Sequence, residues 1–147
     1  MEAPDMMKPH ERIRQQRLKI GLSETDLAHA AGISDMAYYD LEAYESEIDD
    51  CIELGQLRRI CSKLQLDIVE LLGVTPVGVQ QNMRILLRSK RAEKGLSIED
   101  VSDQVGISEE AIRDAEKDLA SLKTWRLIAL RDYAACLNIE LGYLLGR

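Results

Sequence analysis

The 147-residue sequence predicts an all-α protein of two tandem five-helix units packed as a pseudo-dimer. Three observations carry that expectation. Sliding the chain by 74 residues places Gly21-Leu22-Ser23 on Gly95-Leu96-Ser97 and Gly32-Ile33-Ser34 on Gly106-Ile107-Ser108. Over positions 12–42 and 86–116, 12 of 31 residues are identical, the mark of an internal repeat. Apolar residues recur at helical spacing within each copy. Nine glycines and three prolines are too few for a loop-rich chain.

Taken in order, each copy opens with a basic helix that ends at Gly21 or Gly95. Ser23 and Ser97 cap a second helix, each with an acid three residues on, a weak form of the capping box. Gly32 and Gly106 make the turn to a third helix, capped by Ser34 and Ser108. A fourth, longer helix follows, with Ile52, Leu54, Leu57, Ile60, Cys61 and Leu64 at helical spacing; its counterpart uses Trp125, Ile128, Ala129, Tyr133 and Leu137. A short last helix carries Ile68, Leu71 and Leu72, or Leu141, Leu144 and Leu145. After Glu42 and Glu116 the register slips by one, so the copies still share a common end. The boundaries are an N-terminal tail over 1–9 (which includes Pro9 and leaves His10 beside it), a first domain over 10–73, a linker over 74–81 and a second domain over 82–147. The linker is brief and partly apolar, so the units are expected to pack rather than swing freely.

Two helices joined by a short glycine turn form a helix-turn-helix. The first copy reads Arg14-x-x-Arg17-x-x-x-Gly21-Leu22-Ser23-x-x-Asp26-Leu27-Ala28-x-x-x-Gly32-Ile33-Ser34, and the second runs from Arg88-x-x-Arg91 through Gly106-Ile107-Ser108. Both resemble the phage-repressor helix-turn-helix family (Cro/CI-type, or XRE), over roughly residues 10–73 and 82–146. The resemblance implies that the third helix enters the DNA major groove. It places base-reading positions at Asp35, Met36, Tyr39 and Asp40, and at Glu109, Glu110, Arg113 and Asp114. It also implies a structural ion pair between a first-helix arginine and a third-helix acid, here Arg17 with Glu42 and Arg91 with Glu116.

The charge distribution opposes the family's usual ligand. The formal charge is −7, and residues 1–73 hold 8 bases and 15 acids while residues 74–147 hold 11 of each. Eight acids and no base lie between Asp35 and Glu53. Affinity for duplex DNA comes largely from neutralising phosphates with Lys and Arg. Within a screening length of about 8 Å, acids on one helix face act together. The family's phosphate-contacting glutamine is replaced by Glu24 and Ile98, and no basic wing follows the third helix. An acid in a first helical turn also stabilises its helix through the dipole, by about 0.3–1 kcal/mol. That accounts for Asp35, Glu109 and Glu110 but not for Glu45 to Glu53. The first helices run the other way, with Lys8, Arg12, Arg14, Arg17 and Lys19 in one copy and Arg84, Arg88, Lys90, Arg91 and Lys94 in the other.

Tyr38 aligns with Ile112 and is expected in the core, and Trp125 is expected against the helix core rather than in a binding cage. Tyr39, Tyr44 and Met36 are expected on the surface. Exposed tyrosine among carboxylates suits a protein interface, since tyrosine offers large contact area at low entropy cost.

Catalysis is not expected. Only His10 and His29 are present, no nucleophile–histidine–acid set recurs, no metal-ligand spacing occurs, and the phosphate-cradling GxxxxGK[ST] loop is absent. No cofactor is expected. Three cysteines without CxxC spacing, no apolar run near 20 residues, and no basic-plus-apolar leader at Met1 to Asp5 point to a reducing cytoplasm and no membrane.

Two readings remain. In the first, the chain is a protein-binding module whose acidic face engages and inhibits a basic partner such as a toxin, a nuclease or a DNA-binding regulator, in the manner of an immunity protein, antitoxin or anti-activator. Asp35, Met36, Tyr39, Asp40, Tyr44, Glu45, Glu47, Asp49 and Asp50 carry that contact. In the second, it is a transcriptional regulator that binds an operator as a covalent pseudo-dimer. DNA is then held mainly by the second domain, through Ser108, Glu109, Glu110, Arg113, Lys117 and Lys123, with Arg126 nearby.

Overall fold

The structure, a computed structural model, describes residues 7–74 and 83–145, with only the backbone of residues 83–86. All regular secondary structure among these residues is helical. The chain divides into two compact units, Met1–Gly73 and Val74–Arg147. The boundary falls at the start of the expected 74–81 linker, of which all but Val74 lies outside the described residues.

The first unit begins with α1 (Pro9–Ile20), where proline at the first position fixes φ and gives up an N–H that has no helical acceptor. His10, expected in the tail, therefore sits in the first turn of α1. The helix stops at Gly21, whose φ of 89° suits a residue without Cβ. In α2 (Glu24–Ala31) the capping box is complete: the Asp26 N–H donates to Ser23 Oγ at 3.0 Å, and the Ser23 N–H donates to Asp26 Oδ2 at 3.0 Å. Ser34 caps α3 (Asp35–Ala43) by accepting from the Ala37 N–H at 3.1 Å. Tyr44 leaves α3 in extended conformation.

A one-turn helix, α4 (Glu47–Asp50), follows where a loop was expected, pinned by buried Ile48. Next come α5 (Leu54–Leu64) and α6 (Ile68–Leu72). On α5, Leu54, Leu57, Ile60, Cys61 and Leu64 all face inward. Full burial of each such leucine is worth about 1.5–3 kcal/mol. Within the unit, α2 packs on α3 and α5, and α1 packs on α3, α5 and α6.

The second unit repeats the plan with α7 (Met83–Glu93), α8 (Ile98–Val105), α9 (Glu109–Lys117), α10 (Leu127–Leu137) and α11 (Leu141–Leu145). Its counterpart to α4 is a 3-10 helix over Leu119–Thr124, started by the Asp118 side chain and anchored by buried Leu122. Each unit thus has one more helical segment than the five expected. Each of these segments has a single buried side chain and is too short for periodicity to reveal.

Two expectations about the fourth helix are corrected. Ile52 and Trp125 are buried, but they lie before the helix, because Glu53 and Arg126 are extended and form its N-caps. Ile128 is 47 % exposed and does not join the core. The inward face of α10 runs through Leu127, Leu130, Ala134 and Leu137, with Ala129 and Tyr133 beside it, and Ile128 stands off that stripe.

The two cores are not filled identically. Tyr38 on α3 is matched by Ile112, while Ile60 on α5 is matched by Tyr133 on α10; all four are buried. The tyrosine has changed helices with the paired volume roughly kept, the kind of exchange a close-packed core tolerates.

Candidate functional site

The third helix of the first unit owes its outward face to what it buries. Tyr38, Leu41 and Glu42 point inward at i, i+3 and i+4, which turns Asp35, Met36 and Tyr39 outward, with Asp40 half-buried at the edge. Met36 is 68 %, Tyr39 56 % and Tyr44 58 % exposed, an apolar group unusual for so short a stretch. Beyond Tyr44 the chain turns through exposed Glu45 into α4, where inward Ile48 leaves Glu47 and Asp49 half-buried and Asp50 exposed. One segment of chain, from Asp35 to Asp50, thus presents all nine residues expected to contact a partner.

Most of the acids on this segment have no basic neighbour. Among the described residues Asp35, Asp40, Glu47 and Asp50 form no ion pair; Asp35 accepts a long hydrogen bond from Thr25 Oγ1 at 3.5 Å. Glu45 differs, because Lys8 donates to its Oε2 at 3.0 Å. Both side chains are well exposed, so water and salt screen this bridge and it adds little to stability. It nevertheless ties the start of α1 to the acidic segment and removes one acid from the unpaired set. Nothing in the sequence marks this contact across 37 residues, since both partners look like ordinary surface charges.

The corresponding surface of the second unit is electrically mixed. Ser108 caps α9 through the Ala111 N–H at 3.2 Å. Glu109, Glu110, Arg113, Asp114 and Lys117 are exposed on α9, and Lys123 is exposed on the 3-10 helix. Arg113 donates to Glu109 Oε1 at 3.3 Å, one helical turn back, so the arginine at a base-reading position already leans on an acid. Arg126 is exposed at the N-cap of α10.

Beneath each face lies an ion pair with matching geometry. Arg17 donates from Nε to Glu42 Oε2 at 2.7 Å and from Nη2 to Oε1 at 3.0 Å; Arg91 meets Glu116 at the same two distances. Nη1 of each guanidinium donates to a backbone carbonyl, of Leu22 or Leu96, at 3.1 Å. Hydrogen bonding to the carboxylate holds both guanidinium groups more firmly protonated than usual. Each fork fastens the first helix of its unit to the third and to the chain just after its own end, which fixes how the third helix is presented.

A tyrosine stands beside each fork, Tyr38 in one unit and Tyr133 in the other. Burial, with the nearby carboxylate, pushes both phenols well above the usual range. Neither hydroxyl makes a hydrogen bond of ordinary geometry. Trp125 packs on Tyr133 with ring centroids 5.3 Å apart, so it belongs to the core.

The bases of the first helices are largely committed. Besides Lys8 and Arg17, Arg12 donates to the Glu70 carbonyl at 3.1 Å and approaches its carboxylate at 3.6 Å. Arg88 lies 3.7 Å from Glu116, and Lys90 lies 3.5 Å from Glu93. Arg14 and Lys19 remain exposed, while the side chain of Arg84 lies outside the described residues. The same helix exposes Leu18 at 59 % and Ile20 at 40 %. Neither stood out in the sequence, although comparison with Ala92 and Lys94 in the other copy would have marked them.

Among the described residues no group of three His, Cys, Asp or Glu is arranged to hold a metal ion, and no helix is long and apolar enough to cross a membrane. Burial pushes the Cys61 thiol up to about 12, which makes it a packing residue at neutral pH. No family model, curated protein or solved structure matches the chain.

Proposed function

We propose that the chain is a non-enzymatic protein-binding module of the repressor-like helix-turn-helix type, whose acidic third-helix face in the first unit engages and covers a basic protein partner. One observation carries the reading. Met36, Tyr39 and Tyr44 stand exposed on the same segment as Asp35, Asp40, Glu47 and Asp50, which form no ion pair among the described residues. The aromatic and thioether groups supply desolvated contact area, and the carboxylates steer a basic surface into place. A surface that presents carboxylates where relatives of such a fold present bases suits a partner that itself binds nucleic acid: a toxin, a nuclease or a DNA-binding regulator. Covering that site is how such a module inhibits.

The test is a photo-crosslinking amino acid at Tyr39 in the native host, compared with the same chain carrying Asp40→Lys and Asp50→Lys. The expected product is one dominant basic protein, with the charge reversal slowing association about tenfold or more at low salt and leaving the helical content intact. Recovery of the same product at the same rate from both chains counts against the reading.

The second reading, a regulator that uses its two copies as a covalent pseudo-dimer on duplex DNA, draws on the exposed Arg113, Lys117 and Lys123. Selection from random duplexes at low salt decides it. Enrichment of a defined site with a steep salt slope supports the regulator, and no retention even at low salt excludes it.

A further inference from the structure

The two units share one plan, so each position in one is a control for its counterpart in the other. Six large apolar side chains are prominently exposed among the described residues, and five belong to the first unit: Leu18 and Ile20 on α1, and Met36, Tyr39 and Tyr44 on α3 and its exit. The second unit has Ala92, Lys94, Glu110, Arg113 and Asp118 at those places. Because it folds the same way with them, folding does not require the five.

They form two groups of opposite electrical setting. On α1, Leu18 lies one turn beyond exposed Arg14, and exposed Lys19 stands between Leu18 and Ile20. On α3 and α4 the rim is acidic throughout. Within one molecule α1 and α3 are locked together through their inner faces by Arg17 and Glu42, and both groups remain exposed.

We propose that the Leu18–Ile20 face of one copy docks on the Met36–Tyr39–Tyr44 face of a second copy, head to tail. The contact rests on the reading of the acidic face as a binding surface, and it adds a regulation: self-association occupies the site a partner needs. The net charge of −7 opposes the encounter at long range. At physiological salt, however, screening over about 8 Å suppresses that repulsion and leaves the contact-range attraction between Arg14 and Lys19 and the acidic rim. A head-to-tail contact does not close a dimer, so mass grows with concentration rather than stopping at two chains.

Sedimentation equilibrium of the full chain near 0.15 M salt tests it. The expected weight-average mass rises above 16.6 kDa as concentration increases from about 10 μM towards about 1 mM, the range of a weak contact. Leu18→Ala with Ile20→Lys, and Met36→Glu with Tyr39→Arg, install residues the second unit already carries. Each variant alone is expected to stay monomeric, whereas an equimolar mixture, with one intact face on each chain, forms a two-chain complex and nothing larger. Lys19→Glu and Asp40→Lys provide a second complementing pair if circular dichroism shows that either first variant has lost its helices.

A wild-type chain that stays monomeric throughout, or folded variants that do not complement, overturns the proposal. Crosslinking to a basic partner through Tyr39 in the Leu18→Ala, Ile20→Lys chain is the separate readout. Its presence keeps the protein-binding reading standing when self-association fails, and its absence sinks that reading alone.

Discussion

Arg17 and Arg91 show how an identical motif takes different weights in two places. Both forks have the same hydrogen-bond lengths, but the Arg17 side chain is 8 % exposed and Arg91 is 18 %. Glu116 also has Arg88 at 3.7 Å, whereas Glu42 has no second arginine. Removing one partner of a buried pair strands the other charge, at about 3–5 kcal/mol where burial is full. Arg17→Ala is expected near the lower end of that range. Arg91→Ala is expected to cost less, about 2 kcal/mol, because Arg88 can move in. Urea denaturation of the two variants checks the order, and equal losses contradict the role given to Arg88.

The tyrosine beside the second fork gives the opposite expectation. Tyr133 Oη is buried without a hydrogen bond, so Tyr133→Phe removes an unsatisfied group without opening a cavity. The expected change lies within about 1 kcal/mol, with stabilisation the more natural sign; a loss of several kcal/mol in the same denaturation assay reveals a bond that the geometry does not contain. The Arg–Glu pairs were expected from the resemblance of both copies to the repressor-like family. The tyrosine exchange was not, because neither helix alone shows which volume faces it.

At the scale of the element, the helix starts were legible because caps are local chemistry. Ser23 with Asp26 and Ser97 with Asp100 bond within four residues. The hydrogen bonds that Asp26 and Asp100 receive from the serine N–H and hydroxyl hold both carboxyl groups below the usual aspartate range. With the folded pKa below the unfolded one, each adds stability above the unfolded value and loses it as pH falls through the folded value. The window lies below about pH 4. Asp26→Asn with Asp100→Asn is expected to lower the melting temperature at pH 7 and to flatten its decline between about pH 4 and pH 2. Parallel melting curves for variant and wild type across that range contradict the assignment. By contrast, α4 and the 3-10 helix were missed because each is held by a single buried side chain of its own, Ile48 or Leu122, too little for a periodic pattern. Ile128 was misplaced for a related reason: an isoleucine matches either of two neighbouring helix faces until the opposing helix is known.

For the molecule as a whole, the division at Gly73 places a complete core on the first side. The first unit has its own buried set from Ile13 to Leu71. A chain of residues 1–74, near the smaller end of independently folding domains, is expected to be helical and to melt cooperatively. It is also expected to retain the partner contact proposed for Asp35 to Asp50. Circular dichroism against temperature checks the fold, and a broad, non-cooperative melt shows that the unit depends on the rest of the chain.

The sequence by itself determined the repeat, the punctuation of the main helices and the concentration of acid between Asp35 and Glu53, because each depends on spacing or on chemistry within a few residues. Tertiary structure decided which of those charges remain unpaired. It spent Lys8 on Glu45, Arg12 on Glu70 and Arg17 on Glu42, and left Asp35, Asp40, Glu47 and Asp50 around three exposed apolar side chains. Net charge is a sum over the chain, but an electrostatic surface depends on which side chains come within a few ångströms of each other, and only packing sets those distances.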